Sequence, residues 1–147
     1  MSEQGSANGD EVLRLAGLRK SYNVGLPTEL EVLHGLDLAL GRSDFASLIG
    51  PSGSGKSTLL NLLGLLDAPT AGELYLLGQS TRTLDDEART GLRARSIGFV
   101  FQFHHLMPDL TLAENCMVPV IAAGGNRADS MARLQELAVA TGVEHRL

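Results

Sequence analysis

The chain has 147 residues, is 44% hydrophobic and carries a formal net charge of −5 at neutral pH. This length and apolar content are those of one folded domain with a core of its own. The acidic balance excludes a domain that binds nucleic acid through a basic surface, because no stripe of positive charge is present to neutralise phosphates. The single cysteine excludes an intramolecular disulfide framework.

The sequence carries no signal for membrane insertion or secretion. No apolar run approaches the about eighteen residues that a membrane-spanning helix needs. Residues 1–10 are polar and lack the apolar core of a secretion signal. We therefore expect a cytoplasmic protein that reaches a membrane only through a partner, with residues 1–10 as a disordered lead-in.

Five stretches of the chain have the alternation or the short apolar run of a β-strand. Strands are predicted over 11–20, 36–40, 45–49, 72–77 and 97–101. The second of them is expected to follow a turn at His34–Gly35. The segments 45–49 and 97–101 have no polar alternation, which is typical of strands buried on both faces of a parallel sheet.

Four stretches have helical periodicity and helix-boundary residues. Helices are predicted over 56–67, 83–95, 111–123 and 127–140. Thr111 and Glu114 have the spacing of a capping box for the third helix, and Pro119 is expected to bend or interrupt it. The pattern is therefore α/β in the middle of the chain and helical after residue 110.

A glycine-rich segment lies between the predicted strand 45–49 and the helix that comes after it. Its residues are Gly50, Pro51, Ser52, Gly53, Ser54, Gly55, Lys56, Ser57 and Thr58. They match the phosphate-binding pattern G-x-x-x-x-G-K-[ST] in its strand–loop–helix context, which disfavours an ordinary Gly/Ser turn. Gly53 and Gly55 let successive N–H groups converge on one anion, and the helix N-terminus adds its dipole.

Two side chains of this loop supply charge and a metal ligand. Lys56 places a point charge at the β- and γ-phosphates, and the Ser57 hydroxyl is suited to Mg²⁺. A nucleoside triphosphate is the ligand that uses all of these groups at once. The sequence therefore predicts nucleotide binding at this loop.

Two residues outside the loop have positions that, taken together with the loop, indicate a protein family. Tyr22 follows the first predicted strand, and Gln102 ends the strand 97–101. Together with the loop they resemble the nucleotide-binding domain of ABC transporters. The resemblance implies that Tyr22 stacks on the adenine of ATP and that Gln102 contacts Mg²⁺ and the attacking water. Physically, an aromatic ring stacks on a base with little sequence demand, and an amide oxygen suits Mg²⁺. Taken alone, Tyr22 would more simply be a loop aromatic and Gln102 a solvated strand end, and it is their spacing relative to the loop that favours the nucleotide-binding roles.

Three further segments narrow the family. Phe101–Asn115, Gly64–Asp67 and Pro69–Gly72 are similar to the ATPase subunits of the lipoprotein-releasing exporter. These belong to a group that includes macrolide-export and cell-division ABC proteins. The resemblance extends from about Glu11 to Arg146.

The resemblance implies a fold and a set of partners. The fold is an α/β P-loop NTPase, with an ABC-type RecA-like core, an N-terminal antiparallel β subdomain and the start of a helical subdomain. Residues 11–101 would form the β subdomain and P-loop core, and 102–147 the Q-loop and the start of the helical subdomain. The complete protein would be a homodimer that closes on ATP. It would lie on the inner face of the cell membrane, attached to integral permease subunits.

In the resembled family, the stretch around Phe103–Met107 lies near the groove that receives a helix of the membrane subunit. Phe103, Leu106 and Met107 are therefore hypothesised partner contacts, with core packing of Leu106 and Leu110 as the alternative. His104 and His105 are disfavoured as metal ligands, because neighbours in an extended chain point to opposite sides.

The resembled family has further catalytic segments late in its sequence. The chain reaches Leu147 before the Ser-Gly-Gly signature, the strand ending in Asp-Glu and the switch histidine. We therefore expect a truncated domain whose catalytic groups are limited to Lys56 and Gln102. We expect it to lack hydrolytic competence and to be poorly soluble or only partly ordered alone. One alternative is a nucleotide-binding remnant without ATPase turnover. Another is a small P-loop kinase, which is disfavoured because Gln102 and the helical insert have no use there.

Overall fold

A computed structural model describes residues 10–147 of the chain, which divide into two compact units. One unit ends at Arg93 and the other begins at Ala94. The predicted disorder of residues 1–9 lies outside the described residues. Residue 10 is ordered in a turn, contrary to the prediction, and the Asp10 carbonyl accepts a hydrogen bond of 2.9 Å from the Arg42 N–H.

Strands dominate the first unit and helices the second. The first unit contains β1 (Glu11–Tyr22), β2 (Leu30–Gly41), α1 (Lys56–Leu63), β3 (Ala71–Leu76), β4 (Gln79–Ser80) and most of α2 (Asp86–Ser96). The second contains the end of α2, α3 (Leu112–Ala122), α4 (Arg127–Thr141) and a 3₁₀ turn (Glu144–Arg146). The predicted strands at 11–20 and 72–77 and all four predicted helices are confirmed in kind, with shifted ends.

The four strands form one antiparallel sheet in the order β2-β1-β3-β4. Leu15 in the central strand β1 lies opposite Leu38 of β2 and Leu74 of β3. Leu15 and Leu74 are buried, together with Leu18 of the same strand and Leu62 of α1. The apolar positions of the sheet and of α1 therefore form the core of the first unit.

The strand β2 passes through the position where a turn was predicted, so the predicted turn at His34–Gly35 is wrong. Leu18 lies opposite Leu36 and Arg19 lies opposite His34, which leaves Gly35 as an extra residue. Gly35 has a φ of +89°, a conformation that glycine adopts at little cost. The glycine therefore makes a β-bulge, and pairing with β1 continues on both sides of it.

The segments 45–49 and 97–101 are not strands, which corrects two predictions. Within residues 10–147 neither segment pairs with a strand, and Phe45 is 98% exposed and Val100 102% exposed. The observed strands pair antiparallel, whereas a parallel strand requires a partner brought from a distance by a crossover. Without such a partner, the N–H and C=O groups of an apolar run cannot be satisfied in a core. Hydrophobicity alone therefore does not produce a strand here.

Helix α1 ends at Leu63, four residues before its predicted end. The Leu66 N–H donates to the Asn61 carbonyl at 2.9 Å and the Leu65 N–H to the Leu62 carbonyl at 3.0 Å. This is the Schellman pattern, in which the residue after the cap is left-handed. Leu65 occupies that position with a φ of +54° and is buried. Leu65 is therefore a buried residue with a left-handed backbone, a conformation in which glycine is usually found.

Local capping signals position the helices of the second unit. Thr111 and Glu114 form the predicted capping box at the start of α3, and Pro119 lies inside that helix. The Asn126 side chain caps α4, which ends at Gly142 with a φ of +71°. Leu134 and Ala138 of α4 are buried, as is Met117 of α3. The two helices pack against each other through these small apolar faces.

Candidate functional site

The loop 50–58 has the backbone conformation that an anion-binding loop requires. Gly53 and Gly55 have φ angles of +79° and +84°, and Gly55 is the N-cap of α1. The first turn of α1 contains no acidic side chain. The positive end of the helix and its free N–H groups therefore remain available for an anion.

Gly55 is also fixed by its surroundings. A Cβ placed on it would lie 2.9 Å from Leu33 Cδ2 and 3.2 Å from Val32 Cγ1. A Cβ at Gly53 would meet no atom within 4 Å. Gly55 is therefore needed both for its φ angle and for the close approach of β2, whereas Gly53 is needed for its φ angle alone.

The Lys56 ammonium group lies across the loop. Its Nζ donates to the carbonyls of Gly50 at 2.7 Å and Pro51 at 2.6 Å, and lies 3.5 Å from Ser54 Oγ. These partners are all neutral, so no carboxylate offsets the positive charge of Lys56 in these contacts. The lysine can therefore transfer its hydrogen bonds to phosphate oxygens without breaking an ion pair.

Tyr22 lies beside this loop, at the end of β1. Its hydroxyl donates to Thr58 Oγ1 at 3.4 Å, and the residue is 38% exposed. One groove of about 690 Å³ is lined by Tyr22, Leu30, Val32, Ser52, Gly53, Gly55, Lys56, Ser57 and Thr58. The structure thus brings the predicted base-stacking ring together with the predicted phosphate-binding residues. Gly50, Pro51 and Ser54 lie in the loop and contact Lys56 instead of lining the groove.

Two groove residues were missed by the sequence analysis. Leu30 and Val32 come from the start of β2, and Leu30 is the direct partner of Tyr22 in the antiparallel ladder. A hairpin pairing of the first two strands would have placed Leu30 next to Tyr22. The sequence pattern of the first two strands therefore contained the information that Leu30 lies beside Tyr22. It was missed because a turn was predicted at His34–Gly35, which limited the predicted second strand to residues 36–40.

The end of β1 is held by the segment 67–70. Lys20 Nζ donates to Asp67 Oδ1 at 2.6 Å and to the Ala68 carbonyl at 2.9 Å. Thr70 adds three hydrogen bonds: its N–H donates to the Arg19 carbonyl at 2.9 Å, and its hydroxyl accepts from the Ser21 N–H at 2.9 Å and donates to the Ser21 carbonyl at 3.2 Å. The strand end that carries Tyr22 is thereby attached to the chain segment after α1.

The Asp67 carboxylate titrates below its ordinary range. Partial burial raises its pKa, but the hydrogen bonds from Lys20 and from the Ala68 N–H favour the charged form more strongly. The net result is a pKa lowered from the ordinary value of 3.8. Asp67 is therefore charged at neutral pH.

Gln102 lies in the second unit, in an irregular exposed segment. Nearby, the rings of Phe99 and Phe101 stack with centroids 5.3 Å apart, and Phe101 meets the edge of His105 at 5.5 Å. The His104 Nδ1 accepts a hydrogen bond of 3.2 Å from the Leu106 N–H. Among residues 10–147 no group of three or more His, Cys, Asp or Glu side chains could hold a metal ion.

The segment after Gln102 is apolar, exposed and locally ordered. Phe103, Leu106 and Met107 are exposed, with Leu106 at 49%, so the alternative that packs Leu106 in a core is wrong. Asn115 holds the segment, since its Oδ1 accepts from the Met107 N–H at 2.8 Å and its Nδ2 donates to the Met107 and Leu110 carbonyls. The exposed side chains are thus presented on a hydrogen-bonded turn. In residues 10–147 no helix is both long enough and apolar enough to span a membrane.

Residues 33–146 match the family model described as ABC transporter. The chain belongs to the ABC transporter family. Membership implies ATP binding, and it disfavours the small P-loop kinase alternative. The expected fold class, an ABC-type P-loop NTPase, is confirmed by this match and by the likeness to solved ATP-binding cassettes.

The curated relatives are lipoprotein-releasing system ATP-binding proteins. LolD 1 of Rhodopseudomonas palustris is 57% identical over 115 residues, which cover 78% of this chain and 51% of that protein. LolD of Anaeromyxobacter dehalogenans is 54% identical over 124 residues, which cover 84% of this chain and 52% of that protein. The chain thus spans about half the length of the curated relatives it matches.

A solved structure gives the same result for the fold. A dimeric ATP-binding cassette in a post-hydrolysis state, bound to ADP and phosphate, matches with a TM-score of 0.69 and 42% sequence identity. The match covers 76% of this chain and 47% of that one. The resemblance stated from the sequence, an ABC ATP-binding subunit similar to the lipoprotein-releasing ATPases, is therefore confirmed.

Proposed function

We propose that this chain provides the nucleotide-binding part of an ABC transporter ATPase that drives lipoprotein release, or export of a similar lipophilic substrate, at the inner membrane. The groove that joins the Tyr22 ring to the loop 50–58 carries the proposal. The relatives named for lipoprotein release, at 57% and 54% identity, support this branch of the family.

In this proposal the two ends of the groove bind the two ends of ATP. Tyr22 stacks on the adenine, which contributes about 1–3 kcal/mol. The N–H groups of the loop and the start of α1 bind the phosphates, with Lys56 donating to them in place of the Gly50 and Pro51 carbonyls. Lys56 and Gln102 are the catalytic groups that this chain contributes.

The residues available for Mg²⁺ have suitable chemistry. Ser57 is an exposed hydroxyl lining the groove, and Gln102 carries an amide oxygen. Both would offer oxygen ligands, which suit a hard cation such as Mg²⁺, and waters and phosphate oxygens would supply its other ligands. When bound, Mg²⁺ neutralises phosphate charge. Ser57 and Gln102 are proposed to hold it.

The proposed partners are a second ATPase subunit and integral permease subunits. The working protein would be a homodimer, peripheral on the cytoplasmic face of the inner membrane through the permease. Phe103, Leu106 and Met107 are proposed as permease contacts, because they are exposed apolar side chains on a turn held by Asn115.

Phe103→Ala should weaken co-purification with the permease and leave the Kd for ATP unchanged. Equal co-purification would remove the segment from the proposed interface.

Nucleotide binding tests the proposal directly. In the full chain with Mg²⁺, Lys56→Ala should weaken ATP binding at least about 10-fold, and Tyr22→Ala about 5-fold or more. Arg133→Met is a matched control, because it removes one positive charge from an exposed ion pair of the second unit. Equal affinity in Lys56→Ala and Arg133→Met would contradict the proposed site.

Phosphate release separates the proposed ATPase from the alternative of a binding remnant. Steady release by the complete protein with its partners, lost in Lys56→Ala, would support turnover. ATP binding without release in that setting would favour the remnant. Transfer of the γ-phosphate to a small acceptor would contradict both.

A further inference from the structure

Lys20 is a charged side chain next to the groove that the proposed function does not use. It is 11% exposed, and its ammonium is bonded to Asp67 Oδ1 at 2.6 Å and to the Ala68 carbonyl at 2.9 Å. Burying an ammonium to this degree requires such partners, because its desolvation is costly. Lys20 is therefore held at one place, and it is not among the residues that line the groove.

The place where Lys20 is held is against the ring of Tyr22. Lys20 Nζ lies 5.0 Å from the centroid of that ring. The two residues are separated by one position on β1, so they lie on the same side of the strand. A cation at this distance is attracted by the negative face of an aromatic ring. With a cation against one face, the ring has its other face left for a base.

Few groups hold the Tyr22 side chain in its orientation. Its hydroxyl has one partner, Thr58 Oγ1, at the long distance of 3.4 Å. The Lys20 ammonium is a second constraint on the ring, and Asp67 fixes that ammonium from the chain segment after α1. The wall of the groove that carries the ring is thereby connected to the helix that begins at the phosphate-binding loop.

We propose that Lys20, held by Asp67, is a positioning residue that fixes the Tyr22 ring for base stacking. The inference rests on the proposed ATP-binding function. In this proposal Lys20 contributes to binding the base of the nucleotide and does not contribute to binding its phosphates. Its loss should therefore affect ligands that carry a base and leave the binding of a bare phosphate chain unchanged.

The test compares ATP with inorganic tripolyphosphate, which has the phosphates but no base. In the full chain, Lys20→Met should weaken ATP binding about 3- to 10-fold. Tripolyphosphate binding should stay the same. Arg19→Met is the matched control, because Arg19 is the adjacent cation of the same strand and pairs with Glu31 at 2.7 Å on the surface. It should change neither Kd.

A double-mutant cycle separates positioning from a general structural role. In a Tyr22→Ala background, Lys20→Met should have no further effect on ATP binding. Lys20→Arg, which retains the ion pair and the cation, should recover most of the affinity. Should Lys20→Met not fold, Asp67→Asn replaces it, with the same pattern expected at a smaller magnitude. A loss that is equal for ATP and tripolyphosphate, or that persists without Tyr22, would overturn the inference.

Failure of the inference is distinguishable from failure of the proposed function. If the wild-type chain binds ATP and loses it on Lys56→Ala, the site stands whatever Lys20 does. If wild-type protein does not bind ATP at all, the proposed function fails, and the positioning role with it.

Discussion

The antiparallel sheet and the apolar segments 45–49 and 97–101 both carry large apolar side chains, but these side chains lie in opposite environments. Leu18 and Leu74 of the sheet are fully buried, whereas Phe45 and Val100 are fully exposed. Every strand of the sheet has a paired partner, including β1 and β3, which are far apart in sequence, while neither apolar segment has a paired strand within residues 10–147. The difference teaches that burial here follows strand pairing, and that an apolar sequence without a partner strand stays irregular.

The candidate site is built on the sheet and on the loop that follows segment 45–49. β1, β2 and α1 provide the groove wall, and the pairing of β1 with β2 sets the register of its residues. The unpaired segment 45–49 leads into the phosphate-binding loop from the other direction. The site geometry therefore depends on the sheet, on α1 and on the left-handed glycines more than on the segment that precedes the loop.

Truncating one side chain in each region gives the largest contrast. In the 147-residue chain, Leu18→Ala should lower the free energy of unfolding by about 2–5 kcal/mol, because it leaves a cavity in the core. Phe45→Ala should change it by no more than about 0.5 kcal/mol, since Phe45 has no packing to lose. Denaturant unfolding measures both. Comparable losses in the two variants would break the comparison, because they would show that Phe45 is buried in solution.

Two glycine substitutions sharpen the description of the loop. Gly53→Ala should cost about 1–2 kcal/mol, the cost of a left-handed residue with a Cβ. Gly55→Ala should cost more, because its Cβ would also be forced against Val32 and Leu33. Thermal unfolding and the Kd for ATP measure the two effects. An equal stability cost would show that β2 does not approach the loop as closely as described.

The capping box provides a local signal in the second unit. Thr111→Ala should destabilise the protein by about 1 kcal/mol, because it leaves the Glu114 N–H without its acceptor. Thr141→Ala is the control, since the Thr141 hydroxyl bonds only to carbonyls of its own helix. Denaturant midpoints should shift in the first variant and remain in place in the second. A shift of the same size in both variants would show that the capping box contributes no more to stability than the Thr141 hydroxyl does.

Acid should weaken the connection between β1 and the segment 67–70. The folded-state pKa of Asp67 is lowered from 3.8, so its contribution to stability is present above that pH and is lost as the pH falls through the lower folded value. Asp67→Asn should therefore be less stable than wild type at neutral pH, and the difference should shrink below the unfolded-state pKa. Unfolding free energies of both proteins across this range give the result. A difference that does not change with pH would contradict the role of the carboxylate charge.

Signals contained in a short segment were predicted well from the sequence. The loop 50–58, the capping box at Thr111 and the strand β1 depend on residues within a few positions of one another, and each has a specific backbone requirement. The sequence therefore located the loop that forms one half of the groove and placed Tyr22 next to a strand end.

Features that depend on distant pairing were not predictable in the same way. The bulge at Gly35, the position of Leu30 beside Tyr22 and the contact between Lys20 and Asp67 all depend on which segments come together. The exposed state of 45–49 has the same origin, since an apolar run is compatible with a buried strand or with an unpaired segment. The hydrophobic pattern indicates which kind of element a segment can form. Whether a strand actually forms depends on a partner segment that pairs with it.

The most direct test of nucleotide binding is a titration of the full chain with Mg²⁺-ATP, monitored through amide chemical shifts. We expect the largest changes at Gly53, at residues 55–58 and at Tyr22, with smaller ones at Leu30 and Val32, because these residues line the groove. The same titration in Lys56→Ala should leave these amides unchanged at equal ATP concentration. Changes confined to residues outside the groove, or no change up to millimolar ATP, would contradict the assignment of this site.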